Sequence, residues 1–421
     1  MQSSQLIMNN NTPYLNTNEK SSKLIEVKLP ADCLEVGMHV TRLDRPWTEV
    51  PVLLQGLTIN SIEDVELLTT HCNYVFIEID EEFWLDHGNN SSKDDNTTHY
   101  PGFREKKEFR EELPRAKLTL EETQTHVEEI LDSIQREDGI DIAKSRLVIS
   151  SCVKSILANA NALLWLSQIK NQDHYTAEHC MRVGILTIAF GRFLGMKEKE
   201  LELLGMSGIL HDVGKMKIPE DILNKPARLT RIEFDIMRQH TTLGKEILDD
   251  YNDLEALIKD VAHYHHERID GKGYPEKIHG GYLHKYIRMV TIVDAYDAIT
   301  SNRSYKAGSP AFDALKILFS ERGKHFDTEL VEAFIRMIGI YPPGTLVELT
   351  NGEVGIVVSA NTESRLRPKV ELVLTANKKK LPPYIINLFD DILDDSGETY
   401  AIKSGLANGT YGININDYIQ I

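Results

Sequence analysis

The chain has 421 residues, of which 41% are hydrophobic and 26% charged, and its formal net charge is −17. That apolar content suffices for about two or three globular domains. The acidic balance argues against binding a nucleic-acid polymer, which relies on basic patches. Four scattered cysteines, Cys33, Cys72, Cys152 and Cys180, form no CxxC pair. A disulfide framework or cysteine zinc site is therefore not expected, and a reducing compartment fits.

Residues 1–24 are rich in Asn and Ser and are expected to be disordered. They lack the apolar centre of a signal peptide, and no run in the chain is apolar over the length a bilayer requires. A cytoplasmic protein with no membrane partner is expected. Residues 25–85 read as a small α+β domain, with "CNYVFIEID" at 72–80 as a strand. The stretch 86–118 has loop composition in its first half and is read as a linker.

A long helix is predicted from about Thr119. Thr119 and Glu122 have the spacing of a capping box, and Val127, Ile130, Leu131 and Ile134 follow at helical spacing. The pattern then stays helical to about residue 340, with a second capping box at Thr230 and Glu233. After "YPPG" at 341–344 it turns β-rich. A hairpin is predicted around Asn351-Gly352, followed by a third strand in "KVELVLT". The expected fold is mainly α, with a helical domain over 119–340, the small α+β domain before it, and a short β appendage over 341–421.

The helical region carries an unusual set of ligand-type side chains: His179, His211, Asp212, His240, His265, His266 and Asp294. Imidazole and carboxylate together suit divalent first-row metals. Five histidines and two aspartates exceed the needs of one tetrahedral zinc and match two metals sharing a bridging carboxylate. Any one of these residues alone reads as structural; the combination does not. Neighbouring residues on a helix point roughly 100° apart, so His265 and His266 can reach one ion only near a helix end. Gly271 and Gly273 follow at once and let the chain turn. Lys215, three residues after Asp212, can contact a phosphate oxygen as a point charge.

"HDVGKMKIP" followed by "HHERIDGKGYP" closely resembles the signature of the HD-GYP phosphodiesterases, a branch of the HD metal-dependent phosphohydrolases. The resemblance covers roughly residues 145–340. It implies an all-helical HD-type metallohydrolase core that hydrolyses cyclic di-GMP, or in some members the mixed cyclic GMP-AMP dinucleotide. Two divalent ions, iron or manganese foremost, are implied as cofactors. Asp212 would bridge them, with His179, His211 and Asp294 on one and His240, His265 and His266 on the other. Lys215 would steady the scissile phosphate, and Arg303 and Lys306 would bind substrate phosphates. Gly273, Tyr274 and Pro275 would shape the lip of the pocket and are linked in the family to contacts with diguanylate cyclase domains.

The resemblance implies that two such metals would supply Lewis acidity and an activated water for attack on phosphorus, giving linear pGpG or, where cleavage continues, GMP. Some members use a Glu four residues before the first His for a third metal. Tyr175 stands there, so two metals are expected. Asp297, three residues after Asp294, is placed behind a His ligand. His174 and His263 read as flanking residues, and "KKKL" at 378–381 as a solvated turn.

The segment from Leu34 to Gly56 also resembles the uncharacterised domain that precedes HD-GYP in many bacterial proteins. It is expected to gate the catalytic domain or make a homodimer through the helix at 119–136. Two other readings remain open at this stage. A general HD nucleotide phosphohydrolase would lack the GYP turn and the Arg303/Lys306 pair. A non-catalytic dinucleotide receptor or scaffold would be expected to have lost ligands, and all seven are present.

Overall fold

A computed structural model describes residues 24–31, 34, 38–45, 50, 57–59, 61–80, 105–168, 175–301, 309–339, 341–359, 367–390, 392–393, 397, 399–406, 409–413 and 415. The disorder expected for residues 1–24, and Cys33, lie essentially outside them. The chain divides into two compact units, residues 1–96 and 97–421.

Among its described residues the first unit is an antiparallel sheet with one helix. Strands β1 (Leu24–Pro30), β2 (His39–Leu43), β3 (Leu57–Thr58) and β4 (Tyr74–Asp80) lie in the order β1-β4-β2-β3. β2 bulges between Val40 and Arg42 against β4. Helix α1 (Ile62–His71) starts where the Ser61 hydroxyl accepts from Asp64 N, and acidic Glu63 and Asp64 favour its positive end. Val40, Leu57, Ile59, Leu68, Val75 and Ile77 fill the interior.

The second unit opens with α2 (Phe109–Arg136). It begins ten residues before the predicted start, so the last part of the presumed linker is helix. Thr119 lies inside it, buried, with its carbonyl accepting from Thr123 Oγ1, and caps nothing. The capping-box spacing misled because local propensity is weaker than tertiary packing. Leu113, Ala116, Val127, Ile130, Leu131 and Ile134 form a buried stripe along the helix. That stripe packs on α3 (Ile142–Ala158), α4 (Ala160–Ser167) and α5 (Tyr175–Phe193) of the same unit. That stripe is therefore covered by the chain itself.

α5 runs beside α6 (Glu198–Leu210), which leads into a short 3-10 helix, Val213–Lys217. Then come α7 (Glu220–Leu223), α8 (Arg231–Met237), α9 (His240–Asp249), α10 (Ala256–Tyr264), α11 (Lys285–Thr300), α12 (Ala311–Ser320) and α13 (Thr328–Ile338). The Thr230–Glu233 capping box is present at the head of α8. Among the described residues no single helix is long and apolar enough to cross a membrane.

The C-terminal part is a five-stranded antiparallel sheet in the order β8-β7-β6-β5-β9. It is built from β5 (Leu346–Leu349), β6 (Val354–Ser359), β7 (Lys369–Leu374), β8 (Lys380–Asn387) and β9 (Ile402–Leu406). β5 and β6 form the hairpin read at Asn351-Gly352, and Val347, Leu349, Val357, Val370 and Leu372 make its core.

Candidate metal centre and active site

Six of the seven candidate ligands come from helix starts, ends or the residue just beyond. His179 is in the first turns of α5, and His211 directly follows α6. Asp212 precedes the 3-10 helix, and His240 opens α9. His265 follows the last residue of α10 and His266 comes next. Asp294 alone sits mid-helix, in α11. Helix ends leave backbone groups unpaired and let side chains converge from several directions.

The seven side chains form two clusters around one carboxylate. His179, His211 and Asp294 present ligand atoms within 4.8 Å of one another, as do His240, His265 and His266. Asp212 lies between them. Its Oδ2 is 3.5 Å from His179 Nε2 and 3.2 Å from His211 Nε2. Its Oδ1 is 3.4 Å from His240 Nε2 and 3.7 Å from His265 Nε2. His179 Nε2 also lies 3.1 Å from Asp294 Oδ1.

The opposite ring nitrogens of four of these histidines are engaged elsewhere. His211 Nδ1 donates to Gly208 O at 2.7 Å, His240 Nδ1 to Met237 O at 2.6 Å, and His265 Nδ1 to Ala262 O at 3.0 Å. His179 Nδ1 donates to Asp297 Oδ2 at 2.7 Å. A carbonyl or carboxylate can only accept, so each bond puts the proton on Nδ1 and turns the Nε2 lone pair inward. His211 Nε2 and Asp212 Oδ1 are buried and have no hydrogen-bond partner among the described residues. Such orphans are costly unless something else binds them. A divalent cation answers that need, and the mixed His and carboxylate donors suit it.

Charge is arranged to match. Burial, then the neighbouring histidines, pushes His265 well below the ordinary imidazole range and His266 down to about 3. Burial likewise lowers His240. These rings are neutral, the form in which an imidazole can bind a metal. Burial opposes charge on His179 too, but the carboxylates of Asp212, Asp294 and Asp297 outweigh it and raise that imidazole, favouring a second proton on Nε2 whose place a bound cation would take. For Asp212 burial is again opposed and outweighed, here by His211 and Lys215, so the carboxylate stays ionised.

Lys215 Nζ hydrogen-bonds Asp212 Oδ2, and its side chain keeps 21% exposure. The glycine-rich turn packs against the same site. A Cβ on Gly273 would lie 2.4 Å from Glu267 Cα and 2.6 Å from His266 O, so only glycine fits. Tyr274 stacks on His266 with ring centroids 4.7 Å apart. Pro275 is half-buried beside it. Arg303 and Lys306 lie outside the described residues, and so does the side chain of Tyr175.

Sequence reading passed over several supporting residues. Buried Arg182 donates through Nε to Asp297 Oδ1 (2.7 Å), and also to Glu178 and Ser301. It fixes the carboxylate behind His179, the place anticipated for Asp297. A lone Arg in the apolar run "CMRVGILTIAF" was the available signal. Glu267 is buried and accepts from the backbone N–H groups of Glu276, Lys277 and Ile278, tying down the chain after the GYP turn. Nothing in its sequence neighbourhood marked it. Cys180 Sγ sits within 4.8 Å of His211 and Asp212 ligand atoms, but burial pushes this thiol up to about 12. It forms an apolar wall of the site.

Residues 153–330 match the HD domain family, residues 26–144 a domain of unknown function (DUF3391), and residues 346–391 a KOW domain associated with HD domains. A cyclic di-GMP phosphodiesterase of Pseudomonas aeruginosa is 37% identical over 279 residues, 66% of this chain and 67% of that protein. A cyclic di-GMP phosphodiesterase of Thermotoga maritima is 38% identical over 39% of this chain and 45% of its own length. The 3'3'-cGAMP-specific phosphodiesterase 2 of Vibrio cholerae is 33% identical over 40% of this chain and 32% of its own length. The chain thus spans less than half of the last two relatives. With both signature motifs gathered at one buried His/Asp centre, the chain belongs to the HD-GYP family of cyclic-dinucleotide phosphodiesterases.

Proposed function

We propose that this chain hydrolyses cyclic di-GMP to linear pGpG at a two-metal centre bridged by Asp212. The observation that carries this reading is the split of the Asp212 carboxylate, one oxygen toward His179 and His211 and the other toward His240 and His265. His179, His211 and Asp294 would hold one ion; His240, His265 and His266 would hold the other. Two such ions supply Lewis acidity toward phosphate oxygens and make water a competent nucleophile at neutral pH.

The chain's own residues do the remainder. Asp297 and three backbone carbonyls lock the imidazoles in the tautomer that presents Nε2. Lys215 is close enough to Asp212 to exchange that contact for a phosphate oxygen, and Arg303 and Lys306 are assigned to the same anion. Gly273, Tyr274 and Pro275 wall the site beside His266. Water adds across the P–O3′ bond: its oxygen ends on phosphorus and a proton on the ribose 3′ oxygen. Iron or manganese suits the donor set.

Chromatography of reaction products tests this. Protein loaded anaerobically with Fe(II) or Mn(II) is incubated with cyclic di-GMP and, separately, with cyclic GMP-AMP, beside Asp212→Ala. Linear pGpG from cyclic di-GMP, absent in the variant, is expected. A second reading, preference for cyclic GMP-AMP, is favoured by the 33% identity to the Vibrio cholerae enzyme, and faster cleavage of that substrate would establish it. Both substrates intact with metal bound would refute hydrolysis.

A further inference from the structure

We propose that Arg238 and Phe234 form a guanine-reading subsite beside the metal centre. The inference rests on the cyclic-dinucleotide reading above and names the feature that selects the base. Phe234 is on α8, and Arg238 follows it by four residues, so the two share a face. Arg238 N donates to Phe234 O at 2.9 Å, and Arg238 O accepts from Thr241 N and Thr241 Oγ1. This backbone is pinned two residues ahead of the ligand His240.

The side chain of Arg238 lies over Tyr274, with Cζ 4.6 Å from the ring centroid. The same tyrosine ring stacks on the ligand His266. Arg238 is thus one aromatic ring removed from a metal ligand, in keeping with a base and its phosphate separated by one ribose. Its Nε is buried without a hydrogen-bond partner among the described residues. Among the described residues its Nη1 meets Asp235 Oδ1 at 3.5 Å, a surface pair of little strength. Tyr274 holds the guanidinium by its face, which leaves donors along its edge for a ligand.

Phe234 is 47% exposed and stands edge-on to Tyr274, 6.4 Å between centroids. An exposed ring beside a forked donor is what a purine requires: a surface to stack on and a pair of edge hydrogen bonds. Two N–H groups of an arginine fit guanine O6 and N7, whereas adenine places its N6 donor where O6 would be. A phosphate would have no use for the aromatic surface. Positioned in this way, Arg238 is a specificity residue.

The test compares kcat/KM for cyclic di-GMP, cyclic GMP-AMP and cyclic di-AMP in metal-loaded wild type, Arg238→Ala, Arg238→Lys and Phe234→Ala. Inhibition constants against cyclic di-GMP cleavage replace kcat/KM for any dinucleotide that is bound and not cleaved. Arg238→Ala is expected to reduce the preference for cyclic di-GMP over cyclic di-AMP by roughly 5- to 150-fold. Arg238→Lys should do the same, because an ammonium keeps the charge and loses the fork. Phe234→Ala should weaken all three dinucleotides alike, since stacking tolerates any base. Equal losses on all three substrates in Arg238→Ala, with recovery in Arg238→Lys, would overturn base reading and make Arg238 a phosphate contact. No effect in either variant would also overturn it. An inactive wild type would instead count against the proposed function, so the two failures are distinguishable.

Discussion

Gly214, in "HDVGK", is where a single methyl group should do most harm. A Cβ built there lies 1.9 Å from His240 O and 2.4 Å from Gly244 N, both backbone atoms. Ordinary contact begins near 3.4 Å, so α9 would have to retreat by about 1.5 Å. α9 begins at His240, whose Nε2 stands 3.4 Å from Asp212 Oδ1. Metal–ligand distances tolerate only about ±0.2 Å, so a retreat of that size takes His240 out of reach of a shared ion. Overpacking against backbone also costs stability, on the order of 1–3 kcal/mol or more. Gly214→Ala is therefore expected to lose one bound metal and at least about 100-fold in kcat, a loss well within what a 1 Å misplacement produces. Gly244→Ala is the control. Its Cβ would meet Gly214 N at 3.4 Å and nothing closer, and near wild-type behaviour is expected. Metal content by mass spectrometry and hydrolysis rates on both variants check this. A fully loaded, active Gly214→Ala protein, or equal damage from both changes, would refute the reasoning.

Three further outcomes follow from the same geometry. Asp297→Asn should weaken metal binding about 10- to 100-fold, because the carboxylate fixes His179 through Nδ1; competition with a chelator measures it, and unchanged affinity would contradict the role. Arg182→Met should destabilise the second unit by about 3–5 kcal/mol, leaving Glu178 and Asp297 buried without their cation, and denaturant unfolding reads this directly. Burial, then Arg268, holds His325 down at about 4, whereas the unfolded chain takes up that proton near 6.5. Its contribution is thus complete above about pH 6.5 and declines as pH falls toward 4; His325→Gln should flatten that slope in unfolding midpoints, and an unaltered slope would count against it.

The candidate ligands could be grouped from sequence because metal chemistry restricts residue types, and folding brings them together around Asp212. The β hairpin at Asn351-Gly352 and the cap at Thr230 were legible because turn and cap chemistry is local. The start of α2 was not. Its first turns are held by side chains remote in sequence, such as Ser155 donating to the buried Glu112 carboxylate. Glu267 and Arg182 act through contacts that only folding creates, with partners up to 119 residues away for Arg182. The need for Gly214 was not legible either, because it is a need for space against α9, which only folding brings near.

On the proposed reading, Asp212 joins two metal sites into one catalytic centre. The most direct measurement is cyclic di-GMP hydrolysis by metal-free protein titrated anaerobically with Mn(II), or with Fe(II) in parallel, with bound metal counted at each point. Activity should rise to a plateau at two equivalents per chain, and Asp212→Ala should show none at any loading. A plateau at one equivalent, or an active Asp212→Ala protein, would contradict the account.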